Sequence, residues 1–443
     1  MYYSTNNETK MSEKKIIFWE LNEINFEYVN YYIDQGKLPN WKKIIKEHGL
    51  FTTIAEKNYK ELEPWIQWPT VRTGLTFNEH GVFRLGDMEG SGLKQHWEIL
   101  EDRGYTVAAI SPINASNNTK NSPFWMPDPW VDTKISGNGF IRRFSKAIKQ
   151  AVNDNSQEKL SYSSISTIVE ALITKSQLSS WTTYLLSVYG AIKRQHWSKA
   201  ILLDRLIADI FISLWKRHQP DFSVLFLNSG AHIQHHYMCN AIPYKGSIRN
   251  PEWYIPKDKD PLLEILEMYD LVLNEMQNLR DTRLMISVGL RQIPYEKPEF
   301  YWRLKNHDEF LKKLGINFIK VKPRMTRDFL IEFDNEKDLI KAEKTLLQVK
   351  SINGEAIFGE VDNRGGDLFV SLTFSDDISD DFTIFLNEKK YEAFKNDIVF
   401  VAIKNGHHDS KGYYLDTARK PGELKNNMPL KNIFSFIISH FNK

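Results

Sequence analysis

The sequence predicts an α/β protein: a doubly wound, mainly parallel central sheet with helices on both faces, carrying a helical insertion and a small α+β cap. Three observations lead there. Short runs of β-branched and aromatic residues at 16–19, 105–110, 222–228 and 283–288 are apolar nearly throughout, as strands buried on both faces are. Segments of helical period separate them. Polar residues follow these runs directly, above all Gly230-Ala231-His232-Ile233-Gln234-His235-His236. In such a sheet, ligands bind beyond the carboxyl ends of the strands.

Taken in order, residues 1–13 are mostly polar, with little to bury, and are expected to be disordered. The strand 16–19 ends in Glu20-Leu21-Asn22-Glu23 and gives way to a helical segment stopped by Gly36. Pro39 opens a second helix that Gly49 ends. The stretch LEPWIQWPTVRTG at 62–74 is aromatic and contains two prolines, so an irregular segment is expected. Residues 78–83 form a turn, 96–102 a helix and 105–110 a strand, and 112–133 a long loop of the kind that carries function. From 141 to 216 the pattern is helical. Its clearest part has Leu202, Leu206, Ile210 and Leu214 recurring every four residues. After the histidines come a polar excursion (240–261), a helix (262–279), a strand (283–288) and a loop (289–303). The expected domains are a core of 14–316 and 376–443, with a helical insertion near 140–200 and a cap at 317–375. Residues 383–386 and 398–402 are expected to return to the core sheet, followed by a loop at 405–412 and a last helix at 430–441.

Bulk properties bound the function. A chain of 443 residues, 42% hydrophobic and 26% charged, has an ordinary globular composition. Its net charge of +2 gives no push toward nucleic acid or an anionic membrane. The single cysteine, Cys239, leaves no intramolecular disulfide and no thiolate metal cluster. The first fifteen residues carry no apolar signal region, and no stretch approaches a membrane span, so a soluble cytoplasmic protein is expected. Twelve tryptophans are first of all core residues, but Trp65, Trp130 and Trp302 are candidate walls for a flat substrate.

Motif order adds a resemblance. IIFWELNEINFEYV followed by GKLPNWKKIIKEHG, then PTVRTGLTFNEHGVF, NSGAHIQHHY, LMISVGL and GHHDSKGYYLDT resemble, in that order, the stations of the alkaline phosphatase superfamily. The likeness is to its type I phosphodiesterase and nucleotide pyrophosphatase branch and covers nearly the whole chain. It implies an alkaline phosphatase-like fold and chemistry at a phosphoester. That family holds two divalent metals and uses a Thr or Ser nucleophile. Here Asn22 stands for the first metal Asp, Pro64 for the nucleophile, and Val288 and Gly289 for an Asp-His pair. In the other metal site Ala231 stands for the Asp, while His235 and His408 match. A two-metal site is therefore not expected.

Two physical readings follow. In one, His232, His235 and His408 hold a single divalent ion, zinc or manganese, with an open position for water. Without a metal, the same imidazoles can act as nucleophile or general base, oriented by an acid such as Glu20, Glu23 or Glu63. In the other reading the fold is kept and the chemistry lost, leaving a ligand-binding or protein-interaction module. The expected catalytic residues are His232, His235, His408, Glu20 and Glu23. Asn22, Trp65, Gln67, His80, Asn114, His236, Arg291 and Trp302 are expected to contact substrate. Singly, each has an ordinary explanation: Asn22 as a helix cap, His80 as a turn residue, Arg291 as a solvated loop residue. Together they fall at one predicted crevice. The expected partner is a small phosphodiester, nucleotide-sugar-like or glycan-like molecule, not nucleic acid.

Overall fold

The computed structural model describes residues 14–56, 62–153, 160–297, 299–324 and 326–442. The segment 1–13, expected to be disordered, lies outside them. In chain order the strands begin β1 (Lys15–Leu21), β2 (Phe51–Ile54), β3 (Val107–Ile110), β4 (Trp125–Met126), β5 (Phe222–Leu227) and β6 (Thr282–Val288). They continue with β7 (Arg291–Pro294), β8 (Phe300–Leu304), β9 (Lys320–Pro323), β10 (Asp328–Glu332), β11 (Val349–Ser351), β12 (Glu360–Asn363) and β13 (Asp367–Ser371). The last are β14 (Ile384–Leu386), β15 (Lys389–Tyr391), β16 (Ile398–Ile403), β17 (Gly406–Asp409), β18 (Lys411–Asp416) and β19 (Met428–Pro429).

The central sheet has the order β19-β2-β18-β6-β1-β5-β3-β4. Only β18 runs antiparallel to its neighbours, so the sheet is mainly parallel, as expected. β1 lies between β5 and β6, with Trp19 beside both Leu225 and Ile286. Side chains alternate across it. Ile17, Trp19 and Leu21 point into one core, closed by helices α1 (Phe26–Asp34), α2 (Pro39–His48), and by two later helices at Trp197–His218 and Pro261–Gln277. Ile16 and Phe18 point into the other, closed by α3 (Pro64–Thr73), with α4 (Phe77–His80) beside it, by α5 (His96–Asp102), and by the C-terminal helix Asn432–His440. The region near 140–200 forms α6 (Gly139–Asn153), α7 (Tyr162–Lys175) and α8 (Ser180–Ile192), and α9 (Trp197–His218) follows. α10 (Ser229–Tyr237) and α11 (Pro261–Gln277) follow.

A third apolar core gathers side chains from Trp302 to Ile398, a wider span than 317–375. It carries the antiparallel sheet β12-β13-β10-β9 and the small sheet β11-β14-β15, with helices α12 (His307–Lys313) and α13 (Glu336–Leu347). The last helix is α14 (Asn432–His440).

Several local expectations are corrected. Within 62–74, Pro64–Thr73 form the helix α3. Pro64 occupies its first turn, where a missing N–H costs nothing. Pro69 leaves the Trp65 carbonyl without its helical donor, and the Asn114 side-chain amide supplies one at 2.7 Å. Residues 384–386 and 398–403 do not return to the central sheet: the first lies in the cap and the second pairs with β8. The returning strand is β18. The expected loops at 289–303 and 405–412 contain β7, β8 and β17, whose pairings join segments roughly a hundred residues apart and leave no local signal.

Candidate active site at the carboxyl ends of the central strands

The chain leaves β1 through Asn22 and Glu23. Glu23 takes a left-handed backbone (φ 59), a costly state for a residue with a Cβ. Two donors fix it: Gln234 Nε2 at 2.9 Å and the Gln292 N–H at 3.1 Å both donate to the Glu23 carbonyl. The result is a carboxylate turned inward beyond the strand end. Its Oε1 accepts from Asn22 Nδ2 (3.0 Å) and its Oε2 from Gln292 Nε2 (2.6 Å).

α10 starts directly after β5, and its first N–H groups are capped from neighbouring helices. Asp204 of α9 accepts from the Ser229 N–H (2.9 Å), and the Tyr269 hydroxyl of α11 accepts from the Gly230 N–H (2.9 Å). Any side chain at Gly230 would place its Cβ 2.4 Å from Ile24 Cδ1. This tight packing aims His235 at Glu23, with Nε2 3.0 Å from Oε2. β17 delivers the third group. It pairs with β7 so that His408 sits opposite Gln292, and His408 Nε2 lies 3.1 Å from the same Glu23 oxygen. The Nδ1 of His408 faces Glu63 Oε2 at 3.5 Å. One ligand atom each from Glu23, His235 and His408 thus lie within 4.8 Å of one another.

The electrostatics are strongly coupled. Burial alone would raise Glu23, but His408 and His235 outweigh it and hold the carboxyl well below its usual range. Burial would lower His408, yet Glu23 and Glu63 raise it to about 9. Glu63 is pushed up to about 7, chiefly by burial, and then by the charges of Glu23, Glu360 and Asp328 against the opposing His408. Asp328 and Glu360 come from the cap, where the Ser371 hydroxyl lies 2.7 Å and 3.0 Å from their carboxylate oxygens. An Arg84–Asp362 ion pair (3.1 Å) ties a core loop to the cap. The crevice therefore lies between core and cap.

The other expected site residues are placed as follows. Glu20 is fully buried against Arg72, and Arg72 Nε donates to its Oε1 at 2.9 Å. It lies on the strand face opposite Trp19 and Leu21, away from the crevice. The Asn22 amide is saturated, donating to Glu23 and Asn228 and accepting from Trp68 Nε1. His232 is exposed, its ring 4.4 Å from that of His236, and it is not among the three converging ligands. His236 is buried beside Tyr301. His80 accepts from the Val82 N–H at Nδ1 (3.0 Å), which leaves Nε2–H to donate to Thr70 (3.1 Å). Burial lowers its pKa to about 4, so it is a neutral turn-forming residue. Asn114 bridges backbone at Trp65, Arg84 and Gly86. Gln67 is buried behind the site, its Oε1 accepting from the Glu56 N–H. Trp65 donates to the Phe83 carbonyl. Arg291 is bound by Asp409 and Glu27. Trp302 is in the cap core and Trp130 packs on the second core. Sequence reasoning gave no role to Gln292 and Gln234, which fix Glu23. Gln292 follows an apolar strand just as the histidines do, and that signal points to it.

No protein-family profile matches the chain, and no curated protein matches it significantly. Solved structures do. Phosphonoacetate hydrolase from Sinorhizobium meliloti 1021 is 12% identical with a TM-score of 0.40, over 97% of this chain and 95% of that one. Murine ectonucleotide pyrophosphatase / phosphodiesterase 5 is 11% identical with a TM-score of 0.40 and the same coverage. Alkaline phosphatase PafA is 12% identical with a TM-score of 0.41, over 96% of both chains.

Proposed function

We propose that this protein hydrolyses a small phosphoester, a phosphodiester or nucleotide-sugar-like metabolite, at a single divalent metal held by Glu23, His235 and His408. The observation that carries this reading is the convergence of those three donors beyond the ends of β1 and β5. The motif order of the sequence supplies the phosphoester. The donor set fits a metal: one carboxylate and two imidazoles suit zinc or manganese, and three protein ligands leave a position open. Glu23 replaces His232 in the expected set of ligands. When bound, such an ion would supply Lewis-acid chemistry at the ester and would lower the pKa of a water in the open position.

The remaining roles belong to the chain itself. Gln292 and Asn22 hold the Glu23 carboxylate in place. Glu63 lies 3.5 Å from His408 Nδ1, on the far side of the ring from Glu23, where an outer carboxylate would hold the imidazole with Nε2 as the ligand atom. Replacing Glu63 by Gln is expected to weaken zinc affinity by roughly 10–100-fold without unfolding the protein. Competition against a zinc-sensitive dye reads this directly, and unaltered affinity contradicts the role. The activity itself is tested by a screen of chromogenic phosphodiesters and phosphomonoesters after reconstitution with zinc or manganese. Turnover dependent on the added ion supports the reading, and none with any ester contradicts it.

A second reading, a non-catalytic ligand-binding module, is favoured by one set of residues. Pro64, Ala231, Val288 and Gly289 occupy the positions where the resembled family carries its nucleophile and metal ligands. Absence of metal uptake together with stabilisation by a nucleotide-sugar-like ligand in thermal unfolding would select it.

A further inference from the structure

The helical insertion is built inside out. α8 buries Ser180, Tyr184, Ser187 and Gly190 and exposes Trp181, Leu185, Val188 and Ile192, with Leu186 and Tyr189 beside them. α7 buries Ser164, Thr167 and Ala171 and exposes the stripe Tyr162, Ile165, Val169 and Ile173. Leu178, in the connection between the two helices, is 93% exposed. Of nineteen large hydrophobic residues exposed among the described residues, eleven fall within 162–192, so this is a patch and not ordinary scatter. The polar face of α8 turns inward because α9 offers it a charged partner, and on α7 Ser164 bonds inward to Gln150 of α6. Ser180 donates to Asp209 at 2.8 Å, Tyr184 also bonds to Asp209, and Arg205 lies between Asp209 and Glu275. An amphipathic helix in water turns its apolar stripe to the core. These two turn it to the outside.

Charge says what covers the face. Residues 139–199 contain nine Lys and Arg against three Asp and Glu, a net of +6, so the rest of the chain carries −4 of the overall +2. The near-neutral total hides a basic insertion. α8 contains no charged residue and is followed at once by Lys193 and Arg194, both exposed, while Arg142 lies exposed on α6 and Arg143 there pairs with Glu170 of α7 at 2.8 Å. Trp181, Tyr162 and Tyr189 are of the types that settle at the boundary of a bilayer. At 14 and 13 residues, α7 and α8 are shorter than the ~20 that a span requires. Pairing with a second copy would set one basic segment of net +6 beside another, whereas an anionic surface attracts it.

We propose that α7 and α8 dock this protein in-plane on a membrane bearing anionic lipid, with the apolar stripes in the headgroup boundary and the surrounding lysines and arginines on the lipid charges. The test is co-sedimentation of the full chain with vesicles of phosphatidylcholine alone and of phosphatidylcholine mixed with phosphatidylglycerol. The wild type should bind the mixed vesicles, bind the neutral ones weakly, and lose affinity as salt rises. The double variant L185E/L186E, altered only at exposed positions, should unfold at the same temperature as the wild type. Its binding to mixed vesicles should fall by about tenfold or more, from the lost burial of two leucines. Wild type that stays in the supernatant with both vesicle types overturns the proposal, as does a double variant that binds undiminished. So does a wild-type dimer in light scattering that L185E/L186E converts to monomer without any vesicle binding, because the occupant is then a second copy.

Discussion

Replacing Arg72 by Ala is expected to remove about 3–5 kcal/mol of stability. Arg72 and Glu20 are both without solvent exposure, and the guanidinium also donates to the Ile113 carbonyl. Burial already raises the Glu20 pKa, with Arg72 opposing it, so the truncated protein must bury a lone carboxylate or protonate it. The Arg72 side chain also lies against the rings of Trp68 and Trp97. Its loss leaves a cavity between α3 and α5 as well. The double variant R72M/E20Q removes both charges and should recover much of the loss, since breaking a buried pair costs more than replacing it. Urea unfolding measures both. A loss below about 1 kcal/mol in R72A would show that Glu20 finds another partner or water, contrary to this account of the pair.

The second large effect concerns chemistry. His235→Ala is expected to lower ion-dependent phosphoester turnover by more than about a hundredfold, because a ligand should matter more than the outer-shell groups whose loss costs 10–100-fold. Stability should change little. The His235 side chain is 31% exposed, and α10 is held instead by Gly230 against Ile24 and by Asp204 and Tyr269 at its start. Turnover and urea unfolding are measured on the same preparation. Unchanged turnover, or loss of turnover with wholesale unfolding, contradicts the assignment.

Much of this was legible in the sequence, for reasons that differ by residue. Apolar runs long enough to be buried on both faces marked β1, β5 and β6, and the parallel α/β sheet followed from them. His235 and His408 stood out because imidazoles follow strands there, and both reach the site. That Glu23 and not His232 converges with His235 and His408 was not legible. It depends on the left-handed backbone at Glu23, which two distant glutamines impose. Glu20 misled because its buried partner lies 52 residues away on a helix that two prolines seemed to forbid. That helix survives through the Asn114 amide, another contact with no local trace. The cap strands were misplaced in the core for the same reason: their partners are fixed by tertiary packing, not by neighbours in sequence.

The central claim is that Glu23, His235 and His408 form one metal centre. Metal content after zinc reconstitution and exhaustive buffer exchange tests it most directly, in the wild type beside E23A, H235A, H408A and H232A. This account predicts about one ion per chain in the wild type and in H232A, and loss in the other three. A wild type that retains no zinc or manganese, or an H232A variant that loses its metal while E23A keeps it, would contradict it.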